Sequence, residues 1–332
     1  MKNPTKAKRN AQDEQITLIL AALEQGVAPW AKPWQSLGHQ KNARTGRLYN
    51  GGNALYLANV AANQGYEFPL WVTAKQAHDL GGRVKGEVKE LVKGKLTVTQ
   101  EDEWNNSWAV QWFRPYEAAK KDKTGNTILD ENGDPETKLF WRRGVQFIYN
   151  IEQTTVPYKK FKKHLPKTKN EHERNIEIEK FLDNAQKGCG FGLEYGGDKA
   201  FYRPLTDTIK VPPAKYYKVI EEFYATNIHE YAHATGHKSR LSRGLNTQFG
   251  SEAYAEEELV AELTAAFIGA KFQIDGKCQH KEYLGSWFKV LKKNRQLFHQ
   301  AASKAKKAAD YLEKAAQSAE RATKRKAEKE AA

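Results

Sequence analysis

The 332-residue chain carries 54 Lys and Arg against 40 Asp and Glu, a net charge of +14, and its 39% hydrophobic and 11% aromatic content excludes global disorder. The positive excess favours an anionic partner, nucleic acid first, and the length suits two domains of ordinary size. Two cysteines, Cys189 and Cys278, make neither a zinc knuckle nor a disulfide framework and fit a reducing compartment. No apolar run reaches membrane-spanning length, and the basic, polar Met1–Asn10 has no apolar segment directly after it. The expectation is a cytoplasmic protein with no membrane partner.

Met1 to Gln12 reads as a mobile basic arm. Gln15 to Gln25 follows as a helix, with Ile16, Ile19, Leu20 and Leu23 in one stripe and Gly26 as its stop. Ala28-Pro29-Trp30-Ala31-Lys32-Pro33-Trp34 cannot be helix interior and suits a rigid loop that presents indole faces. The polar stretch Asn42 to Asn53 holds Arg44, Arg47 and Tyr49 among turn formers. Leu55–Ala62 and Thr73–Leu80 read as helices, the second ended by Gly81-Gly82. Lys95–Thr99, Trp108–Phe113 and Phe140–Ile148 alternate like strands. Between the last two, Lys120 to Lys138 reads as a polar surface loop. Asp130, Asn132 and Asp134 resemble a calcium loop only faintly, without its Gly and closing Glu.

Seven of the eight tryptophans (Trp30, Trp34, Trp71, Trp104, Trp108, Trp112 and Trp141) precede residue 142, among many cations. Rings interleaved with cations are what sequence-tolerant single-strand binding needs, because bases stack on rings while cations follow phosphates. Trp71, Trp112 and Trp141, inside apolar runs, are assigned to the core. Trp30, Trp34 and Tyr49 are assigned to exposed stacking, with Lys32, Arg44, Arg47, Asn53, Lys75 and Lys85 as further DNA-contact candidates.

The lysine-rich, Pro-marked stretch from Val156 to Glu173 reads as an inter-domain linker. Asn175–Gln186 reads as a helix, and Asp207–Pro212 as an edge strand beside a histidine-bearing helix. That helix contains Ile228-His229-Glu230-Tyr231-Ala232-His233, a His-Glu-x-x-His pattern. On a helix His229 and His233 lie one turn apart on one face and can bind one Zn²⁺, while Glu230 can deprotonate a metal-bound water. A third ligand is needed. The His that a metzincin places after the Gly236 spacer is here Ser239, and His237 lies beyond the helix end. Downstream, Glu256 to Phe267 reads as a second helix with Glu258 and Glu262 on one face. Glu258 is assigned as third ligand and Glu262 as the acceptor that orients a ligand histidine. The competing reading is that Glu256, Glu257 and Glu258 are a solvated helix start, where acids suit the dipole. Tyr254 and His237 are candidates to steady an oxyanion. Trp287–Lys314 reads as a long helix, and Ala301–Ala332, lacking a wide apolar face, as a solvated helix or frayed tail.

The motifs Leu23-Glu24-Gln25-Gly26-Val27-Ala28-Pro29-Trp30, Thr45-Gly46-Arg47-Leu48-Tyr49, Thr73-Ala74-Lys75-Gln76-Ala77 and Tyr149-Asn150-Ile151-Glu152-Gln153-Thr154, followed by the His229–His237 stretch with Arg240-Leu241 and by Glu257–Glu262, resemble the ArdC-type antirestriction proteins of conjugative plasmids and phages. Several distant motifs in one order are far more specific than any single one. The resemblance implies a single-stranded-DNA-binding N-terminal domain, shared with plasmid-transfer primases, and a zincin-like C-terminal metallopeptidase domain. It implies protection of incoming DNA from restriction, with entry into a recipient cell alongside that DNA. Carried over, His229, His233 and Glu258 hold the metal and Glu230 is catalytic.

The expected fold class is α+β in two domains, an N-terminal mixed α/β DNA-binding domain and a C-terminal mainly helical zincin-like domain. The expected division is 1–155 for the DNA-binding domain, 156–174 for the linker, 175–300 for the peptidase domain and 301–332 for the tail. Zn²⁺ or another divalent transition metal is the expected cofactor. Single-stranded DNA is the expected partner, with double-stranded DNA and a DNA-bound protein substrate also open. An alternative reading keeps DNA binding and makes the metal site structural or vestigial. Two-metal nuclease or primase chemistry ranks last, since no suitable Asp and Glu cluster or phosphate-cradling Gly loop is present.

Overall fold

The computed structural model describes residues 10–30, 39–86, 88–92, 95–100, 103–157, 161, 171–245, 248, 250–272, 274 and 283–331. The N-terminal half is mixed α/β and the C-terminal half mainly helical. Helix α1 spans Ala11–Glu24; Asn10 caps it by accepting from the Gln12 amide, and Ile16, Ile19 and Leu23 are buried as their spacing predicts. Helix α2 (Gly51–Gln64) ends at Gly65, whose left-handed backbone (φ 68°) only glycine adopts without cost. Helix α3 (Ala74–Asp79) begins in a reciprocal cap, the Thr73 side chain accepting from the Gln76 amide and the Gln76 side chain from the Thr73 amide.

Strands β1 (Lys41–Asn42), β2 (Leu70–Val72), β5 (Trp108–Ala119) and β6 (Thr137–Asn150) form one sheet in the order β1-β2-β6-β5. Strands β3 (Val88–Val92) and β4 (Lys95–Gln100) form a separate antiparallel hairpin. The stretch Lys120–Lys138, expected as a loop, is the turned end of the β5–β6 hairpin, with isolated pairings Lys121 to Thr127 and Leu129 to Pro135. Its acids serve the backbone. The Asp130 carboxylate accepts from the Asn132 and Asp134 amides at 2.9 Å each, as Asp122 does from Thr124 and Asn126.

The C-terminal half opens with α4 (Glu171–Cys189), which starts inside the stretch expected as a linker; most of that stretch lies outside the described residues. Strands β7 (Gly192–Tyr195), β8 (Phe201–Arg203) and β9 (Thr208–Val211) follow in the order β7-β9-β8. The expected edge strand around 208–211 is therefore the centre of this sheet, paired with β7 in parallel and β8 antiparallel. Its alternation belongs equally to a central strand of a small half-exposed sheet, which is why the pattern misplaced it. Helices α5 (Ile220–Thr235), α6 (Glu252–Phe272), α7 (Leu284–Lys293) and α8 (Gln296–Ala331) complete the chain.

The expected frayed tail is corrected over its first half. Ala301, Ala305, Ala308, Ala309, Leu312 and Ala316 form a buried stripe on α8. The stripe is narrow because it is built of alanines, which let helices approach closely. A Cβ on Gly188 of α4 would lie 2.2 Å from the Ala315 carbonyl oxygen. One continuous core joins Ile16, Ile19, Leu23, Trp30 and Leu55 to Ile228, Leu259, Trp287, Phe298 and Leu312. Trp30 is thus no stacking platform. It is 2% exposed, edge-on to Trp287 at 5.5 Å and stacked on Phe298 at 6.5 Å. Trp71 is core as expected, whereas Trp141 is 61% exposed and Trp112 half-buried.

Candidate metal centre

Helix α5 is fixed by aromatic packing on one side. Tyr231 meets Phe191 edge-on at 4.7 Å, and the Tyr224 hydroxyl donates to Glu179 at 2.6 Å. This leaves His229, Glu230 and His233 facing α6 and the β7–β9 sheet. Gly236 follows the helix, but its backbone is not left-handed (φ −75°). Glycine is needed there for space: an added Cβ would meet Leu245 at 2.7 Å and the Arg243 guanidinium at 3.0 Å.

The two Nε2 atoms of His229 and His233 stand 3.1 Å apart. The Glu258 carboxylate lies 3.3 Å from the first and 3.6 Å from the second. Four ligands at Zn–N and Zn–O distances of roughly 2.1 Å in a tetrahedron are separated by about 3.4 Å. The spacing and the donor set of two imidazoles and a carboxylate therefore fit a divalent transition metal, and these three residues could hold one. Glu262 sits on the other side of the His229 ring, its oxygen 3.7 Å from Nδ1. The geometry groups Glu258, not Glu262, with the two Nε2 atoms.

A second carboxylate, which the sequence reading treated only as a helix-start acid, faces His233. Glu257 Oε1 lies 3.3 Å from His233 Nδ1. Glu257 is gripped by Arg243, whose Nε and Nη2 donate to its two oxygens at 3.0 and 2.6 Å. The same guanidinium donates to the Thr235 hydroxyl and the Ala232 carbonyl at 2.6 Å each, tying α6 to the end of α5. Arg240 works in parallel. It donates to the Ala234 carbonyl at 2.7 Å and to both oxygens of Asp207, which also accepts from the Tyr202 hydroxyl at 2.7 Å. Placing cations on the last carbonyls of α5 suits the negative end of its dipole.

Burial opposes charge on His233, but Glu257 and Glu258 outweigh it and push its pKa up to about 10. Burial holds His229 below its ordinary value. Glu258 is held below the usual carboxylate range, because the two histidines beside it overcome the cost of its burial. Burial raises the Tyr254 phenol, and its contacts with Tyr283 and Glu258 raise it further.

His229, Glu230, His233, Glu257 and Glu258 line a cavity of about 350 Å³ with Tyr202, Tyr254 and Tyr283. The Tyr254 and Tyr283 hydroxyls lie 3.2 Å apart at its rim. Tyr283 carried no signal in the sequence, since nothing in its spacing links it to the histidines. His237 is not brought to this cavity. It bonds Ser239 at 2.7 Å and lines a neighbouring hollow with Leu205 and Lys238.

The N-terminal candidates scatter. Arg44, Arg47 and Lys75 are exposed, and Arg44 pairs with Asp79 of α3 at 3.2 Å. Lys85 is half-buried, and its backbone bonds Gln153 at 3.0 Å. Tyr49 is half-buried against the cores. Asn53 is structural: its oxygen accepts from Gln15 and from the Gln111 amide, and its amide donates to the Gln111 carbonyl at 2.7 Å. Lys32 and Trp34 lie outside the described residues.

Two family profiles match. The N-terminal domain of anti-restriction factor ArdC covers residues 9–136, and the zincin-like metallopeptidase covers 177–304. An uncharacterized protein y4eC of Sinorhizobium fredii is 30% identical over 89% of this chain and 88% of its own length. The metal-free crystal structure of the antirestriction protein ArdC from plasmid R388 superposes with a TM-score of 0.67 at 27% identity, covering 93% of this chain and 99% of the other. The chain belongs to the ArdC-type antirestriction family. The Mn(II)-bound structure of the same R388 protein superposes with a TM-score of 0.65 at 27% identity over 93% of this chain and 98% of the other. A DNA primase TraC of Escherichia coli is 34% identical over 89% of this chain, and a second is 33% identical over 92%. The chain spans only 19% and 27% of those two proteins. Family membership bears out the fold expected from the sequence motifs, an N-terminal mixed α/β half and a helical zincin-like half. Among the described residues no helix is long and apolar enough to cross a membrane.

Proposed function

We propose that this ArdC-type protein binds single-stranded DNA through its N-terminal half and cleaves DNA-associated proteins with a metal-dependent peptidase site in its C-terminal half. The observation that carries the peptidase reading is the convergence of two Nε2 atoms and one carboxylate in a cavity that Glu230 also lines. His229, His233 and Glu258 would hold the metal, with Zn²⁺ and Mn²⁺ both compatible with the donor set. A divalent ion there supplies Lewis acidity toward a carbonyl and makes water more acidic.

The chain's own groups supply the rest. Glu230, buried beside the ligands, takes a proton from the attacking water and returns it to the leaving amine. The Tyr254 and Tyr283 hydroxyls, 3.2 Å apart, donate toward oxygen at the cavity rim. Glu262 and Glu257 face the outer nitrogens of His229 and His233 and orient the rings, with Arg243 fixing Glu257. Binding to DNA brings protein substrates near this site. The test is Glu230→Gln. Metal content and DNA affinity should match wild type while cleavage of a DNA-bound protein falls by about 10²–10⁴. Unchanged cleavage in that variant would remove Glu230 from the chemistry. Absence of cleavage by wild type, with protection of DNA intact, would favour shielding by occupancy.

A further inference from the structure

Strands β5 and β6 close the N-terminal core with Val110 and Ile148, under Tyr56, Leu57 and Val60 of α2. They then run on as a two-stranded arm for eight more pairs, from Trp112 opposite Gly144 to Ala119 opposite Thr137. At about 3.4 Å per residue the arm's faces are about 27 Å long. Large apolar side chains stay exposed along it, among them Phe113 (57%), Leu139 (53%) and Trp141 (61%), with Tyr116 and Phe140. An exposed apolar stretch of this kind on a soluble fold marks a contact surface.

Strand alternation sorts the arm into two unlike faces. The face that α2 covers at its base carries Trp112, Arg114 and Tyr116 on β5, with Phe140, Arg142 and Lys138 opposite. The Trp112 ring lies across Gly144, where an added Cβ would meet it at 2.5 Å. The Arg114 guanidinium sits 5.4 Å from the Trp112 ring centre and that of Arg142 4.8 Å from Tyr116, which stacks on Phe140 at 5.7 Å. Among the described residues neither arginine has a carboxylate partner, so both are held by rings with their charge unneutralised. The other face carries Phe113, Leu139 and Trp141, but only Arg143 as a cation, and Glu117 opposite Leu139.

We propose that the Arg114–Tyr116–Phe140–Arg142 face of this arm is the single-strand binding surface, in place of the buried Trp30. Its two ring-held guanidiniums take phosphates and its rings stack bases. A duplex offers the same phosphates but keeps its base faces stacked inside, so the rings favour a single strand. This rests on the DNA-binding reading above, and the test separates the two. Anisotropy of a labelled single-stranded oligonucleotide is read across a salt series for wild type, Arg114→Gln/Arg142→Gln, Tyr116→Ala/Phe140→Ala and Trp141→Ala.

The arginine pair should lower the slope of log affinity against log salt by about 1.4. The ring pair should weaken binding about tenfold or more, and Trp141→Ala by less than either pair. Circular dichroism and metal content, unchanged, show that each variant is folded. Photo-cross-linking of a bromouracil oligonucleotide to wild type should label peptides within 112–116 or 140–142. If wild type binds and both pairs match it, with cross-links elsewhere, the arm assignment is overturned and DNA binding stands. If wild type does not bind, the DNA reading itself fails. A change in oligomeric state of the ring pair at unchanged DNA affinity would overturn the assignment in favour of self-association.

Discussion

At the residue scale, the candidate metal site depends on how the outer nitrogens of its histidines are held. Arg243 touches no ligand directly, yet it grips Glu257 with two bonds, and Glu257 faces His233. Arg243→Ala should free that carboxylate to turn and weaken metal binding about 10–100-fold, read by competition with a chromogenic chelator. Protons compete for the same site. His233 is raised from 6.5 to about 10, so near neutral pH it carries a proton that metal must displace. Metal binding should therefore release about one proton per ion and tighten as pH rises toward 10, measured by calorimetry in buffers of different ionisation enthalpy. In the metal-free protein the sign reverses. The stabilisation from charged His233 is complete below 6.5 and is lost as pH rises through about 10. Glu257 and Glu258, lowered from 4.5, stabilise above that value and lose their contribution as pH falls. Burial lowers His229, so its contribution falls as pH drops below 6.5, and the metal-free cluster is most stabilising near pH 6.5, whereas the metal-loaded form gains with alkali.

At the element scale, α8 divides at about Ala316. Up to there one face is buried against α4 and α6, and beyond it the helix is exposed apart from charge pairs such as Glu320 with Lys180 at 2.8 Å. Exposed pairs of this kind contribute little, because water and salt screen them. Ending the chain after Gln317 should leave the melting temperature within a few degrees of wild type. Ending it after Gln300 should abolish folding, because it removes the alanine stripe and Leu312 and uncovers the faces of α4 and α6 packed against α8. Scanning calorimetry of both truncations checks this. The sequence showed no wide apolar face here because buried alanines between lysines read like any solvated helix; only the neighbouring helix shows that the alanines are a close-packed seam.

At the scale of the whole molecule, Trp30 links two halves that matched separate family profiles. Its ring meets Trp287 of α7 and Phe298 of α8, so the N-terminal segment completes the C-terminal core. Trp30→Ala should cost about 3–5 kcal/mol in denaturant unfolding while leaving DNA affinity of the folded protein unchanged. Loss of DNA affinity at unchanged stability would return this indole to the DNA surface.

The candidate metal residues were legible as a group because such chemistry imposes short spacings. His229 and His233 must be one helical turn apart, and Glu258 and Glu262 share a face by the same periodicity. The α1, α2 and α3 segments were legible for a like reason, since local periodicity and caps act within a few residues. Contacts between distant segments leave no such trace. Whether Glu258 or Glu262 meets the Nε2 pair depends on how α6 docks on α5, and periodicity is blind to docking. Trp30 beside prolines looks like an exposed indole until α7 and α8 cover it, and Trp141 in an apolar run looks like core until the β5–β6 arm leaves the sheet. The resemblance of several motifs was enough for the family, and local spacing for the helical frame and the candidate ligands. Which aromatic rings are buried and which stand free came from packing, because burial is a property of what else arrives in space.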